Sequence, residues 1–178
     1  MPLTYVTGGI RSGKSEFAER LAFSHEDRVL YVAFGVQTDQ EMEKRIDSHK
    51  KRRPAEWGVL EEPNELTSVQ SVYQDYDVIL VDCISSWLSN QCMWLTDQEL
   101  KEENKKSSLI EEVELWIKVI KENHQHVIVV SNEVGLGGVA LSPLGRFFQD
   151  VLGKINQLLA AEADEAYTVF SGLPLRLK

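Results

Sequence analysis

The chain has 178 residues, 43% of them hydrophobic and 26% charged, an ordinary globular composition with enough apolar residues for a buried core. Its net charge is −9, so the broad basic face of a nucleic-acid binder is not expected, and no run approaches the roughly 18 apolar residues of a membrane span. The N-terminus lacks the layout of a secretory signal, and Cys83 and Cys92 form no C-x-x-C pair, so the sequence points to the cytosol, with neither a disulfide framework nor a zinc site.

Short β-branched runs alternate with longer helical patterns along the chain. LTYVT (Leu3–Thr7) reads as a strand and is followed by the glycine-rich stretch GGIRSGKS and a helix from Ser15 to Phe23. VLYVA (Val29–Ala33) reads as a second strand, followed by a helix from Asp39 to Lys51 that Pro54 terminates. DVILVD (Asp77–Asp82) is a third strand, with a helix starting near Ser85. From Gln98 to Asn123, Leu109, Ile110, Val113, Trp116, Ile117 and Ile120 recur at helical spacing. HVIVVSN (His126–Asn132) is a strand, Leu144 to Ala161 carries an apolar helical stripe, and EAYTVFS (Glu165–Ser171) is a strand. The tail GLPLRLK reads as a turn and a short antiparallel strand at an edge. The middle three strands are near-continuous apolar runs, as parallel strands covered on both faces should be. The alternation predicts a mostly parallel, doubly wound α/β sheet in one domain spanning residues 1–178.

The residues Gly8, Gly9, Ile10, Arg11, Ser12, Gly13, Lys14 and Ser15 match G-x-x-x-x-G-K-[ST] in full, after a predicted strand and at the start of a predicted helix. Glycines there let the backbone wrap phosphate oxygens, and the loop N–H groups and helix N-terminus supply donors and partial positive charge. Lys14 would reach the β- and γ-phosphates, and the Ser15 hydroxyl would ligate Mg²⁺. Asp82, at the carboxyl end of a buried strand, is a second candidate magnesium ligand, its alternative being a cap for the helix that follows. These features predict a nucleoside triphosphate site. A guanine-reading N-K-x-D motif and a D-x-x-G after Asp82 are both missing, which disfavours a regulatory GTPase.

The segment from Lys44 to Arg53 concentrates Lys44, Arg45, Lys50, Lys51, Arg52 and Arg53 around His49 in an otherwise acidic chain. Two readings stay open on spacing alone. Cations at a helix C-terminus oppose the helix dipole. Alternatively, the cluster disfavours imidazolium, keeps His49 neutral and nucleophilic, and neutralises the phosphates it would attack. Such a histidine supports covalent nucleotidyl transfer. Trp87, Trp94 and Trp116 likewise admit a core role or a stacking role.

The blocks TGGIRSGKSEFAE, EMEKRIDSHKKRRPAEW, VDCISSWLSN, VSNEVGLGGV and the C-terminal GRFFQD…LPLRLK, in this order, resemble the bifunctional adenosylcobinamide kinase / adenosylcobinamide-phosphate guanylyltransferase family of cobalamin biosynthesis. That resemblance implies a phosphate-loop α/β fold and two reactions. The first phosphorylates the aminopropanol hydroxyl of adenosylcobinamide with ATP or GTP. The second transfers GMP from GTP through a guanylyl-histidine, giving adenosylcobinamide-GDP. It implies that His49 is the nucleophile and that Gly8 to Ser15, Ala33, Phe34, Gly35, Lys50, Lys51, Arg52, Arg53, Glu61 and Asp82 contact the nucleotide. It also implies a homo-oligomer, a trimer in form. His25, His124 and His126 fall outside the matching blocks and read as surface or strand-edge residues. Glu61 has a plain alternative as a helix-entry acid. The chain departs from the family pattern in Phe34 and Gly35, which imply backbone-only contact, and in Pro143 and Gln149, the latter standing where an arginine is usual. Arg146 is the arginine that remains nearby.

Overall fold

The computed structural model describes residues 2–25, 28–35, 54–67 and 70–178. The helix expected from Asp39 to Lys51, and with it His49 and Lys50 to Arg53, lies outside the described residues.

Seven strands, β1 (Leu3–Gly8), β2 (Val29–Ala33), β3 (Gly58–Glu61), β4 (Val78–Asp82), β5 (His126–Asn132), β6 (Glu165–Phe170) and β7 (Leu173–Arg176), form one sheet in the order β3-β2-β4-β5-β1-β6-β7. All pairings are parallel except β6 with β7, which are antiparallel, as the tail sequence predicts. The described helices are α1 (Lys14–Phe23), α2 (Gln70–Tyr73), α3 (Ile84–Cys92), α4 (Glu103–Glu122) and α5 (Pro143–Glu162).

Burial on both faces explains the continuous apolar runs. Val78, Ile79, Leu80 and Val81 are all buried, and so are the five residues from Val127 to Ser131. Side chains of successive residues go to opposite layers. Leu30, Val32, Ile79, Val81, Val127 and Val129 join a core with Trp87 and Leu88 of α3, Val113 and Trp116 of α4, and Val151 and Leu152 of α5. Val29, Tyr31, Val78, Leu80, Ile128 and Val130 join a second core with Phe17, Ala18 and Ala22 of α1 and with Trp57. Helices on both faces force the parallel, doubly wound arrangement.

Two elements differ from the sequence expectation. The strand β3 is a short edge strand of alternating half-buried and exposed residues, with too little apolar content to announce itself. The helix expected over 98–123 is divided: Glu99–Lys101 form a 3₁₀ turn, Glu102 is extended, and α4 begins at Glu103. A local capping box starts the 3₁₀ turn. The N–H and hydroxyl of Thr96 donate to Oε2 of Glu99 at 2.8 and 2.7 Å, and the Glu99 N–H donates back to Oγ1 of Thr96 at 3.3 Å. Reciprocal capping satisfies N-terminal groups of this short turn.

Leu80 is wholly buried on β4, an interior strand between β2 and β5. Leu80→Ala should lower the unfolding free energy by about 2–5 kcal/mol, read as a lower denaturant midpoint with an unchanged slope.

Candidate active site at the carboxyl edge of the sheet

Parallel strands deliver their carboxyl ends to one edge, and that edge gathers Gly8 of β1, Ala33 of β2, Glu61 of β3, Asp82 of β4 and Asn132 of β5. Ala33 and Glu61 are directly in register, and the Glu62 N–H donates to the Ala33 carbonyl at 3.0 Å.

The stretch from Gly9 to Gly13 turns β1 into α1. Gly13 has φ 92°, a left-handed conformation that favours glycine, and as N-cap it offers α1 no side-chain acceptor. The first N–H groups of α1 are therefore not capped by that side chain, which suits an incoming anion. Ile10 is 80% exposed and projects away from the loop. Lys14 arches back over it, its Nζ donating to the Gly9 carbonyl at 3.2 Å. Burial holds the Lys14 ammonium below the ordinary lysine value, an effect opposed by the nearby Asp82 carboxylate. Ser15, half-buried, is on the first turn of α1.

Asp82 is held from the neighbouring strand: the Tyr31 hydroxyl donates to its Oδ2 at 3.0 Å. It does not cap the next helix, whose N-cap is Cys83 without any side-chain cap. A chain of polar contacts fixes this corner instead. Asn156 of α5, nearly buried, accepts from the Ser131 hydroxyl at 2.6 Å and donates to the Asn132 carbonyl at 2.9 Å. The Asn132 amide donates to Oγ of Ser85 at 3.0 Å, and that oxygen lies 2.9 Å from Sγ of Cys83. Burial, then the nearby Asp82 carboxylate, pushes the Cys83 thiol pKa up, so the thiol stays neutral.

Phe34 is fully buried and its side chain belongs to the core. The Asn90 amide donates to the Phe34 carbonyl and to the Pro63 carbonyl, both at 2.7 Å, so α3 pins the segments that leave β2 and β3. Gly35 is exposed at the same edge. Trp87 and Trp116 are core residues, while Trp94 is 83% exposed.

Gln149 and Arg146, both on α5, have a structural use. Gln149 accepts from the Ala140 N–H at 2.8 Å and donates to the carbonyls of Gly138 and Val134 at 2.9 and 3.3 Å. Arginine has no acceptor and could not do both. The Arg146 guanidinium donates to the carbonyls of Leu141 and Ala140 at 2.6 and 3.2 Å, which is where this structure engages it. Together they brace the loop that follows β5, whose first amide, Glu133 N–H, donates to the Gly8 carbonyl at 3.0 Å.

The remaining described histidines lie elsewhere. His126 opens β5, at the opposite edge from Asn132; its Nε2 is 2.9 Å from the Thr4 hydroxyl, and its ring meets His25 edge-on at 4.4 Å between centroids. His124 and these two line a cleft at that far edge. Sequence reading gave no role to Tyr31, Asn90, Asn132 or Asn156, although Asn90 and Asn132 fall within the blocks VDCISSWLSN and VSNEVGLGGV.

A parallel sheet whose first strand runs through a phosphate loop into a helix, with an acidic strand end two strands away, defines a phosphate-loop nucleotide-binding α/β enzyme. The fold is similar to that of a KaiC-like protein from Pyrococcus horikoshii, with a TM-score of 0.51 at 13% identity over 94% of this chain and 70% of that one. The particular family is fixed by sequence: residues 4–177 match the family model described as cobinamide kinase / cobinamide phosphate guanyltransferase, and the chain belongs to that family. It is 37% identical to the bifunctional adenosylcobalamin biosynthesis protein CobP of Pseudomonas aeruginosa, over 97% of this chain and 95% of the relative. It is 36% identical to the corresponding CobU protein of Salmonella typhimurium, over 97% and 98% respectively, and 34% identical to that of Escherichia coli. The chain is thus a bifunctional kinase and guanylyltransferase acting on small-molecule substrates, with nucleoside triphosphates among them. Among the described residues, no helix is long and apolar enough to cross a membrane.

Among the described residues, the ammonium form of Lys14, and not its neutral amine, is suited to pair with phosphate charge. Affinity for GTP should therefore fall as pH rises, beginning below the ordinary lysine value of 10.5, and Lys14→Arg should flatten that decline in a titration across alkaline pH.

Proposed function

We propose that one nucleotide site at the carboxyl edge serves both reactions, with His49 as the covalent carrier of GMP. The observation that carries this reading is the convergence on that edge of the phosphate loop, Lys14, Asp82 and the Ala33–Glu61 pair. Gly35, the last described residue before the segment holding His49, is at the same edge.

In the kinase step the aminopropanol hydroxyl oxygen of adenosylcobinamide attacks the γ-phosphorus of ATP or GTP. The bond to the β-phosphate oxygen breaks, the nucleoside diphosphate departs, and the hydroxyl proton is released. The loop N–H groups from Gly9 to Gly13 and the Lys14 ammonium hold the charge that builds on the phosphate oxygens. In the transferase step a neutral imidazole nitrogen of His49 attacks the α-phosphorus of GTP, and the bond to pyrophosphate breaks. A phosphate oxygen of adenosylcobinamide phosphate then attacks the same phosphorus, releases His49 and gives adenosylcobinamide-GDP. Lys50, Lys51, Arg52 and Arg53 keep the imidazole uncharged and neutralise the phosphates. Ala33, Phe34 and Gly35 approach the nucleotide through backbone, since the Phe34 side chain is committed to the core. Glu61 serves as a polar contact from the edge strand.

Magnesium fits the donors at this edge. Ser15 offers a hydroxyl and Asp82, directed by Tyr31, a carboxylate, an all-oxygen set that leaves the remaining positions to phosphate and water. When bound, the ion neutralises β- and γ-phosphate charge. We further infer a cytoplasmic homo-oligomer, trimeric as the family resemblance implies.

Intact mass after incubation with GTP tests the reading. The wild type should gain one acid-labile guanylyl group, and His49→Asn should gain none while still phosphorylating adenosylcobinamide. A wild type that phosphorylates adenosylcobinamide yet never carries the adduct would show His49 to be no more than a helix-end cation.

A further inference from the structure

The C-terminal hairpin reaches the phosphate loop. β6 and β7 are joined by Ser171 and Gly172, both with positive φ (51° and 81°), the left-handed pair that a two-residue hairpin turn requires. The Gly172 N–H does not close the hairpin; it donates to the Ser12 carbonyl at 2.7 Å. Contact is close enough to require glycine on the loop side. A Cβ on Gly13 would lie 3.1 Å from the Gly172 Cα and 3.8 Å from Cγ1 of Val169. A Cβ on Gly8 would lie 2.7 Å from the Val169 carbonyl oxygen. The loop therefore rests on the last residues of β6 and on the turn that follows.

We propose that Gly172 is a positioning residue for nucleotide binding and transfer, acting through the Ser12–Gly13 peptide. This rests on the reading of residues 8–15 as the triphosphate site. In a trans peptide the carbonyl and the next N–H point in opposite directions. Drawing the Ser12 carbonyl onto the hairpin turns the Gly13 N–H away from it, toward the open side of the loop. It also removes an acceptor oxygen from the surroundings of the anion. A phosphate cradle works because its donors all face inward, and one reversed peptide would replace an attraction with a repulsion. The geometry ties that orientation to the left-handed conformation of a residue 160 positions further along the chain than Ser12.

Substitution at Gly172 tests this cleanly, because nothing lies within 4 Å of a Cβ built there. Effects of Gly172→Ala then arise from backbone conformation and not from a clash. Asparagine tolerates the left-handed region, alanine resists it and valine resists it most. Titration calorimetry with GTP should give dissociation constants rising in the order Gly172→Asn, Gly172→Ala, Gly172→Val, with at least a fivefold span from first to last and with Gly172→Asn retaining most of the affinity. The unfolding midpoint of the unliganded protein is measured alongside. A hairpin that only stabilised the fold would lower that midpoint in the same order and leave the dissociation constant of the folded protein unchanged; that result overturns the proposal. If Gly172→Val does not fold, the comparison of Gly172→Ala with Gly172→Asn decides. Lys14→Ala separates the two levels of inference. If it loses GTP affinity while the Gly172 series is flat, only the role of the turn falls. If it binds GTP like the wild type, the loop is not the triphosphate site, and both fall.

Discussion

A phosphate loop must point its N–H groups at one spot, and backbone does not do so unaided, because each peptide also carries a carbonyl that has to be placed somewhere else. In this protein the carbonyls find partners around the loop. Gly9 accepts from Lys14 and from the Ser12 amide, Ser12 accepts from Gly172, and Gly8 accepts from Glu133. The loop is thus suspended between its own helix, the segment after β5 and the C-terminal hairpin. The central position of β1, between β5 and β6, makes that suspension possible.

The same requirement, that buried polar groups be satisfied, organises the rest of the edge. Asn90 ties α3 to the ends of β2 and β3, and Asn156 ties α5 to the end of β5. Asn132 and Ser85 carry that link to Cys83, next to Asp82, while Tyr31 orients the carboxylate from the adjacent strand. Each contact joins elements distant in sequence and is worth more inside the fold than on its surface, since the alternative is an unpaired group shielded from water. The apolar layers supply stability, and the polar links decide where the strand ends sit relative to one another.

Membership of the cobinamide kinase / cobinamide phosphate guanyltransferase family gives this architecture its chemical meaning. Both reactions attack phosphorus, at the γ position in one and the α position in the other, so both need the triphosphate tail fixed and its charge matched. A single edge where parallel strands end can supply that for two chemistries. Gln149 makes donor and acceptor contacts that hold the loop after β5, and Arg146 grips the neighbouring carbonyls.

By itself the sequence determined the fold class, the strands β2 and β5 to the residue, the phosphate loop and the family. These are local properties. Apolar runs of strand length, an amphipathic stripe such as that of α5 and a G-x-x-x-x-G-K-S stretch are written in consecutive residues, and each is stabilised mainly by what it buries. Tertiary structure alone decided the edge strand β3, the break before α4, the commitment of Phe34 to the core and the partners of Asp82, Gln149 and the loop carbonyls. A half-exposed strand leaves almost no periodic signal, and a hydrogen bond between residues such as Ser12 and Gly172 has no sequence pattern at all. It exists because the sheet order sets β6 beside β1 and brings a left-handed turn against the loop.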